Sequence, residues 1–306
     1  MKRPLVSIMI PTCNAPDIFA ETMASAARQT WPKVEIIVMD NSTNDDTEKL
    51  MKHYAKDSRV RYIRNRAART KAENFRPFEK LARGEYLQWL MHDDILLPDK
   101  VEKMAVCLMN HPEITLVSSQ RGIIDSAGNL HPEHFKRQLL PITGREFGIF
   151  SGEDTGRALL YGKNFVGEPS AALFRRRDLK HHYWNADVRG YKVISDVAMW
   201  LELMEKGDLL IYKEPLSFYR RHSGQEGQRS DILVLSRLEW FSLITEYFER
   251  KVFIKTPAEY ADRFRDFLRE SDGEFAKLES DVSPQLWQLY QSGLGQIKKM
   301  IEDITN

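Results

Sequence analysis

The sequence has only two cysteines, Cys13 and Cys107, and they lie far apart without the spacing of zinc ligands. We therefore expect neither disulfides nor a structural zinc site, but two reduced thiols in a cytoplasmic protein. No uncharged apolar run approaches the roughly 18 residues that a membrane-spanning helix needs. We expect that the chain does not cross a bilayer, and peripheral contact with the inner face of a membrane stays open.

An excess of charge of one sign is also lacking, because 45 Lys and Arg residues stand against 44 Asp and Glu residues in a chain of 306. A net charge of +1 argues against a nucleic-acid partner. The sequence contains no internal repeat and no low-complexity segment. Its length is sufficient for one large α/β domain and a smaller unit, each with its own core.

Short apolar runs alternate with amphipathic helical patterns over residues 1–227, which is typical of a mostly parallel, Rossmann-like sheet flanked by helices. The predicted strands are residues 5–10, 34–39, 60–63, 86–91, 114–119, 170–174 and 216–219. The predicted helices are residues 17–28, 45–56, 98–110 and 196–206. The segment 129–150 is rich in Pro, Gly and His and is expected to be a loop.

Residues 228–306 are predicted to form a C-terminal helical region. Thr256-Pro257-Ala258-Glu259 has the pattern of a capping box with proline at the first helical position, so a helix is expected to begin there. An earlier helix, 232–250, carries two apolar stripes: Val234, Leu238 and Phe241, and Trp240, Ile244 and Tyr247. Two alternatives stay open: both stripes pack inside this chain, or one contacts a partner, a second copy or a membrane.

Three predicted strands run into polar residues, namely Pro11-Thr12-Cys13-Asn14, Asp40-Asn41-Ser42 and His92-Asp93-Asp94. In an open parallel sheet, ligands bind at the carboxyl ends of the strands. One such residue alone would more often be a helix cap or a turn residue. Three groups on the same edge favour a ligand site.

These stretches, together with Ala82-Arg83-Gly84-Glu85-Tyr86, resemble the motifs of the family 2 inverting glycosyltransferases, which have the GT-A fold. The resemblance continues through Gly167-Glu168-Pro169-Ser170 and Tyr219-Arg220-Arg221-His222 and covers about the first 225 residues. It implies a hexosyltransferase that moves a sugar from a nucleotide-diphosphate sugar, most simply a UDP-sugar, to a hydroxyl of a glycan, lipid-linked or protein acceptor.

The resemblance also implies a divalent metal, manganese or magnesium. Asp93 matches the aspartate that binds the metal in the family, and His222 matches a histidine that completes the metal site in several relatives. The family's D-x-D element falls on Met91-His92-Asp93, so its first carboxylate is missing here. Such a cation stabilises the negative charge that develops on the leaving diphosphate.

By the same resemblance, the nucleotide-sugar contacts fall on one set of residues. Asp40 would accept hydrogen bonds from the base, and the first loop would close over the nucleotide. The whole set is Pro11, Thr12, Asn14, Asp40, Arg69, Lys71, His92, Asp93 and Asp94. Arg220 or Arg221 could add positive charge near the phosphates.

Asp196 matches the family's general base, which removes the proton of the acceptor hydroxyl during a displacement with inversion. Because it begins a predicted helix, the alternative is a capping aspartate. Two competing functions also remain. A nucleotidyltransferase usually has a Gly-rich first loop, which this sequence lacks, whereas a non-catalytic scaffold or sugar-binding relative would be consistent with Met91.

Overall fold

The computed structural model describes residues 3–131, 142, 146–180, 190–225, 227, 229–271 and 275–305. Its strands are β1 (Val6–Thr12), β2 (Val34–Asp40), β3 (Val60–Arg64), β4 (Tyr86–Trp89), β5 (Ile95–Leu96), β6 (Ile114–Ile124), β7 (Phe147–Phe150), β8 (Leu173–Arg175) and β9 (Asp208–Arg220). Among the helices of the described residues, none combines the length and apolar character needed to span a membrane.

The helices of the described ranges are α1 (Pro16–Ala27), α2 (Asp46–Met51), α3 (Lys71–Phe75), α4 (Phe78–Leu81), α5 (Lys100–Asn110), α6 (Gly152–Leu160), α7 (Ser195–Met204), α8 (Ser230–Glu249), α9 (Pro257–Ser271) and α10 (Pro284–Thr305). Pro16 opens α1 one residue before the predicted start, since its fixed φ suits a first helical position. The capping box at Thr256 and Glu259 is confirmed by hydrogen bonds in both directions.

The strands form one sheet in the order β3, β2, β1, β4, β8, β6, β9, β5, with β7 on β9. Strands β3, β2, β1 and β4 are mutually parallel, whereas β8 is antiparallel to both of its neighbours. The prediction of a mostly parallel α/β sheet is therefore confirmed. Because β1, β2, β3 and β4 are parallel neighbours, their carboxyl ends share one edge, where the predicted polar groups lie.

Alternate residues of the central strands enter two separate cores. Ile8 and Ile10 of β1 pack with α1 and α5, whereas Met9 faces the opposite side, with α7 and the C-terminal helices. Helix α8 contributes Val234 and Ile244 to that second core. Residues of both apolar stripes of α8 are buried or half-buried in this chain. A further contact through these helices, and a domain boundary near residue 227, stay predictions.

Several boundaries differ from those expected. Strand β9 begins at Asp208, eight residues before the predicted strand, and a register shift of its partner β6 near Gln120 accommodates Pro215. The predicted strand 170–174 begins only at Leu173, because Pro169–Ala171 form a 3₁₀ turn. Most of the predicted loop 129–150 lies outside the described residues, but its end forms β7, which pairs with β9.

Candidate active site

The first and second polar loops are hydrogen-bonded to each other at the carboxyl edge of the sheet. Asn14 adopts a φ of 49°, which asparagine tolerates, and its Oδ1 accepts a hydrogen bond from the backbone N of Thr43 at 2.8 Å. The backbone N of Asn14 donates to Oγ of Ser42 at 2.7 Å. Pro11 and Thr12 are buried at the end of β1, and Thr12 Oγ1 has no hydrogen-bond partner among the described residues.

Asp40 lies at the end of β2, where its carboxylate is fully buried and well provided with donors. One oxygen accepts from the backbone N of Ser42 at 2.8 Å. The other accepts from Tyr62 Oη at 2.6 Å and from Arg64 Nη1 at 2.9 Å. Tyr62 and Arg64 come from β3, so three adjacent strands supply this part of the edge.

Asp93, which follows β4, and His222, which follows β9, lie in contact with each other. The Nε2 atom of His222 lies 3.2 Å from Oδ2 of Asp93, and both side chains keep partial exposure, 20% and 15%. His92 between Met91 and Asp93 is half-buried, and its carbonyl accepts a hydrogen bond from Thr22 Oγ1 at 2.9 Å. This hydrogen bond fixes the turn after β4 to α1.

Arg220 is buried and hydrogen-bonds to the loop that carries Asp93. Its Nε donates to the carbonyl of Asp93 at 2.9 Å, its Nη2 pairs with Glu21 at 2.6 Å, and its Nη1 reaches the carbonyls of residues 125 and 126. Its guanidinium is therefore bound to protein groups and is 1% exposed. The charge of Arg220 is therefore buried against the loop rather than exposed.

Asp94 is buried beneath the same loop. It accepts a hydrogen bond from the backbone N of Arg220 at 3.1 Å, and burial, with the charge of Asp93, raises the pKa of Asp94 well above its ordinary value. Burial also lowers the pKa of nearby Lys100 to about 7, against the opposing effect of Asp94, and Lys100 Nζ donates to the carbonyl of Ala171 at 2.7 Å. Asp94 thus faces the interior, whereas the side chain of Asp93 is partly exposed.

Arg69 and Lys71 lie in the segment that leads into α3. The backbone N of Arg69 donates to Glu73 Oε2 at 2.6 Å, and Thr70 and Glu73 form a capping box that fixes the start of the helix. Lys71 is exposed at the first helical position. It lies close enough to Asp196 for its positive charge to lower the pKa of that carboxyl.

Asp196 is the second residue of α7. Burial raises its pKa to about 6, although the hydrogen bond from the backbone N of Val197 at 2.8 Å and the charge of Lys71 oppose this shift. The N-cap position is Ile194, and no side chain caps the helix there. Asp196 therefore does not occupy the capping position, and its carboxyl has a pKa suited to a base near neutral pH.

Arg121, Glu168 and Tyr219 line the region near the aspartates. Arg121 stacks over the ring of Tyr219 at 4.8 Å from the ring centre and forms an ion pair with Glu168. Burial, followed by the negative charges of Asp94 and Asp93, raises the pKa of Tyr219. These residues were not among the predicted contacts, although Glu168 and Tyr219 lie in two of the quoted motifs.

The donor atoms of Asp93 and His222 fit a divalent cation. A carboxylate oxygen and an imidazole nitrogen lie side by side and partly exposed, which leaves room for oxygen ligands from a diphosphate and water. Within the described ranges, no group of three or more His, Cys, Asp or Glu residues is placed to hold a metal. The protein therefore offers two ligands, and a bound diphosphate would have to contribute others.

Comparison with known proteins shows the family of the chain. Residues 7–183, more than half of the chain, match the model of glycosyl transferase family 2. An uncharacterised glycosyltransferase of Methanocaldococcus jannaschii is 36% identical over 149 residues, covering 44% of this chain and 49% of that protein. Chondroitin synthase of Escherichia coli is 33% identical over 130 residues, which cover 42% of this chain and 18% of the synthase. The chain thus spans at most about half of these relatives.

Solved structures resemble the fold along nearly the whole chain. S. aureus TarS in complex with UDP aligns with a TM-score of 0.52 at 13% identity, covering 98% of this chain and 90% of that one. The mannosyltransferase PcManGT from Pyrobaculum calidifontis, in complex with GDP-Man and Mn2+, aligns with a TM-score of 0.51 at 14% identity, covering 99% and 86%. At such identities the likeness shows the fold alone. The match to the family model over more than half of the chain shows that the chain belongs to glycosyl transferase family 2.

Proposed function

We propose that this protein is a metal-assisted, inverting glycosyltransferase that moves a sugar from a nucleotide-diphosphate sugar to an acceptor hydroxyl. The observation that carries the proposal is the 3.2 Å contact between Asp93 Oδ2 and His222 Nε2. The two residues are distant in sequence, yet they meet at the carboxyl edge of the sheet, beside the other loops that carry the family motifs. An aspartate and a histidine in such a position suit the diphosphate end of a donor.

Asp93 and His222 would hold the divalent cation, manganese or magnesium. When bound, the cation stabilises negative charge on the leaving diphosphate. The imidazole favours manganese over magnesium, because magnesium prefers oxygen ligands. Arg220 keeps the Asp93 loop in place. Asp94 is buried, so it is placed to support this loop from the interior rather than to make the nucleotide contact that the resemblance implies.

The nucleotide would lie along the first two loops. Asp40 lies at the end of β2, and the Asn14 loop is hydrogen-bonded to the segment that follows it, so the base of the nucleotide would bind there. Arg69 and Lys71 are exposed at the approach to α3 and its first residue, and they would contact the diphosphate or the sugar. A UDP-sugar is the donor we favour, and GDP-mannose is the alternative suggested by the mannosyltransferase.

Asp196 would act as the general base. Its raised pKa leaves most of the carboxyl ionised at neutral pH yet basic enough to accept a proton from a hydroxyl. One carboxylate is sufficient when the acceptor attacks from the face opposite the leaving diphosphate. The acceptor would be a glycan, a lipid-linked saccharide or a protein, and the reaction would take place in the cytoplasm, in solution or at the inner face of the membrane.

A non-catalytic sugar-binding role is the second candidate, and Met91 is the specific observation in its favour, since it replaces a carboxylate of the family motif. UDP release distinguishes the two. Wild-type protein, incubated with UDP-sugars, Mn2+ and simple acceptors, should release UDP, and EDTA should abolish the release. Asp196→Asn should lower turnover by roughly 10²- to 10⁴-fold. Binding of UDP with no turnover of any donor would favour the sugar-binding role.

A further inference from the structure

The segment that leads into α7 is held by a glutamate from the C-terminal helical region. Glu239 of α8 is 7% exposed. Its Oε1 accepts a hydrogen bond from the backbone N of Lys192 at 2.8 Å, and its Oε2 accepts from Val193 at 2.8 Å and from Ile194 at 3.0 Å. One buried carboxylate thus binds three consecutive backbone N–H groups immediately before the helix that carries Asp196.

This arrangement fixes the backbone immediately before α7, up to its N-cap residue. Ile194 is the N-cap residue, and no side chain of the local sequence caps the helix. The first N–H groups of a helix have no partners inside it, and a negative charge at this end is favourable. Glu239 satisfies the N–H groups on the approach to the helix and places its negative charge near the positive end of α7.

A second hydrogen bond connects the same two elements. Tyr191 is buried, and its hydroxyl donates to Glu246 Oε2 of α8 at 2.8 Å. Val197 of α7 and Val234 and Leu243 of α8 belong to one hydrophobic core. The approach to Asp196 is therefore fixed to α8 by polar contacts at four successive residues and by the packing of both helices.

We infer that Glu239 is a positioning residue for Asp196, and that the C-terminal helices set the geometry of the catalytic base through it. The inference rests on the proposed role of Asp196. A base must reach the acceptor proton at hydrogen-bond distance, and a misplacement of about 1 Å can cost on the order of 10²-fold in rate. Three consecutive backbone N–H groups, those of residues 192–194, bind one buried carboxylate. These hydrogen bonds restrict the movement of Asp196, which lies two residues after Ile194.

Glu239→Gln tests the inference. The amide keeps the shape of the side chain, but its NH2 group replaces one carboxylate oxygen. This NH2 group cannot accept the hydrogen bond of the backbone N–H that faces it. We expect kcat for UDP release to fall about 10- to 100-fold, while the Kd for UDP with Mn2+ and the KM for the donor change less than about twofold. Hydrogen exchange at residues 192–197 should become faster.

Glu259→Gln is the matched control, because Glu259 accepts from the backbone N of Lys255 and Thr256 at the start of α9, away from the candidate site. It should lower thermal stability to a similar extent and leave kcat unchanged. Tyr191→Phe, which removes only the bond to Glu246, is the milder variant if Glu239→Gln does not fold, and its kcat should fall about two- to tenfold.

Asp196→Asn in the same series separates the inference from the proposed function. If Asp196→Asn loses turnover while Glu239→Gln, or Tyr191→Phe in its place, keeps wild-type kcat, Glu239 has only a structural role and the inference is overturned. If Asp196→Asn keeps normal turnover, the proposed base is wrong and the inference falls with it. The proposed function and the inference are both supported if kcat falls in Asp196→Asn and in Glu239→Gln, UDP affinity is unchanged, and Glu259→Gln keeps wild-type kcat.

Discussion

Oδ2 of Asp93 lies 3.2 Å from Nε2 of His222, although 129 positions separate the two residues in the chain. The contact depends on Arg220, whose side chain binds the carbonyl of Asp93 and whose backbone N binds the carboxyl of Asp94. His222 follows Arg220 by two residues. The end of β9 therefore fixes both members of the pair at once.

Asp93→Ala should remove the metal dependence of nucleotide binding. We expect the affinity for UDP in Mn2+ to fall about 10- to 100-fold, to the value measured in EDTA, because the main carboxylate ligand is lost. Titration calorimetry measures both affinities. Asp99→Ala is the control, since Asp99 is a surface partner of Lys103. Unchanged affinity and metal dependence in Asp93→Ala would exclude Asp93 from the site.

Asp196→Asn should stabilise the protein at neutral pH. Because the pKa of Asp196 is raised to about 6, the folded state holds its proton more tightly than the unfolded state, and stability falls as pH rises from about 4 to 6. Above pH 6 the ionised carboxyl costs up to about 3 kcal/mol, which asparagine avoids. In urea unfolding, the gain in stability of Asp196→Asn over wild type should be larger at pH 8 than at pH 5. Lower stability of Asp196→Asn at both pH values would indicate that the ionised carboxylate of Asp196 stabilises the fold.

The pH dependence of turnover should report the same carboxyl. At saturating donor, kcat should rise with pH around an apparent pKa of about 6, as Asp196 loses its proton and becomes able to act as a base. Lys71→Met should move this limb to higher pH, because the lysine charge favours the ionised form. Lys52→Met, an exposed lysine on the turn after α2, should leave the profile unchanged. A shift to lower pH in Lys71→Met would contradict the assignment.

Asp40→Asn should destabilise the fold as well as weaken nucleotide binding. The Arg64 side chain is 12% exposed and would lose its buried ion-pair partner, while one donor of the Asp40 network would face an NH2 group. We expect a loss of about 2–4 kcal/mol in the free energy of unfolding. Asp46→Asn, which breaks the exposed pair with Lys49, should have no measurable effect. Equal stabilities in urea unfolding would contradict this account of Asp40.

Much of the site could be predicted from strand ends. Asp40 and Asp93 follow apolar runs, and the rule that parallel strands end on one edge brings them together without knowledge of the structure. The same rule would have found Arg64, which ends β3 on that edge. The orientation of the side chains in Tyr219-Arg220-Arg221-His222 could not be predicted in this way. Only packing decides that Arg220 points inward and binds carbonyl groups.

The role of α8 could not be predicted either. A glutamate in an amphipathic helix normally faces water, and no local pattern marks Glu239 as buried. Its partners are backbone N–H groups more than forty residues earlier, which carry no sequence signal. Strand β7 and the first half of β9 were missed for a related reason: pairing with neighbouring strands outweighs Gly148 and Pro215, which locally disfavour a strand.

The anomeric configuration of the product tests the central claim most directly. In the absence of acceptor, water can accept the sugar from an α-linked UDP-sugar with Mn2+, and proton NMR follows the released sugar before it mutarotates. A single displacement assisted by Asp196 predicts that the β anomer accumulates first and that Asp196→Asn slows its formation. Initial accumulation of the α anomer would contradict the account, because it requires retention of configuration.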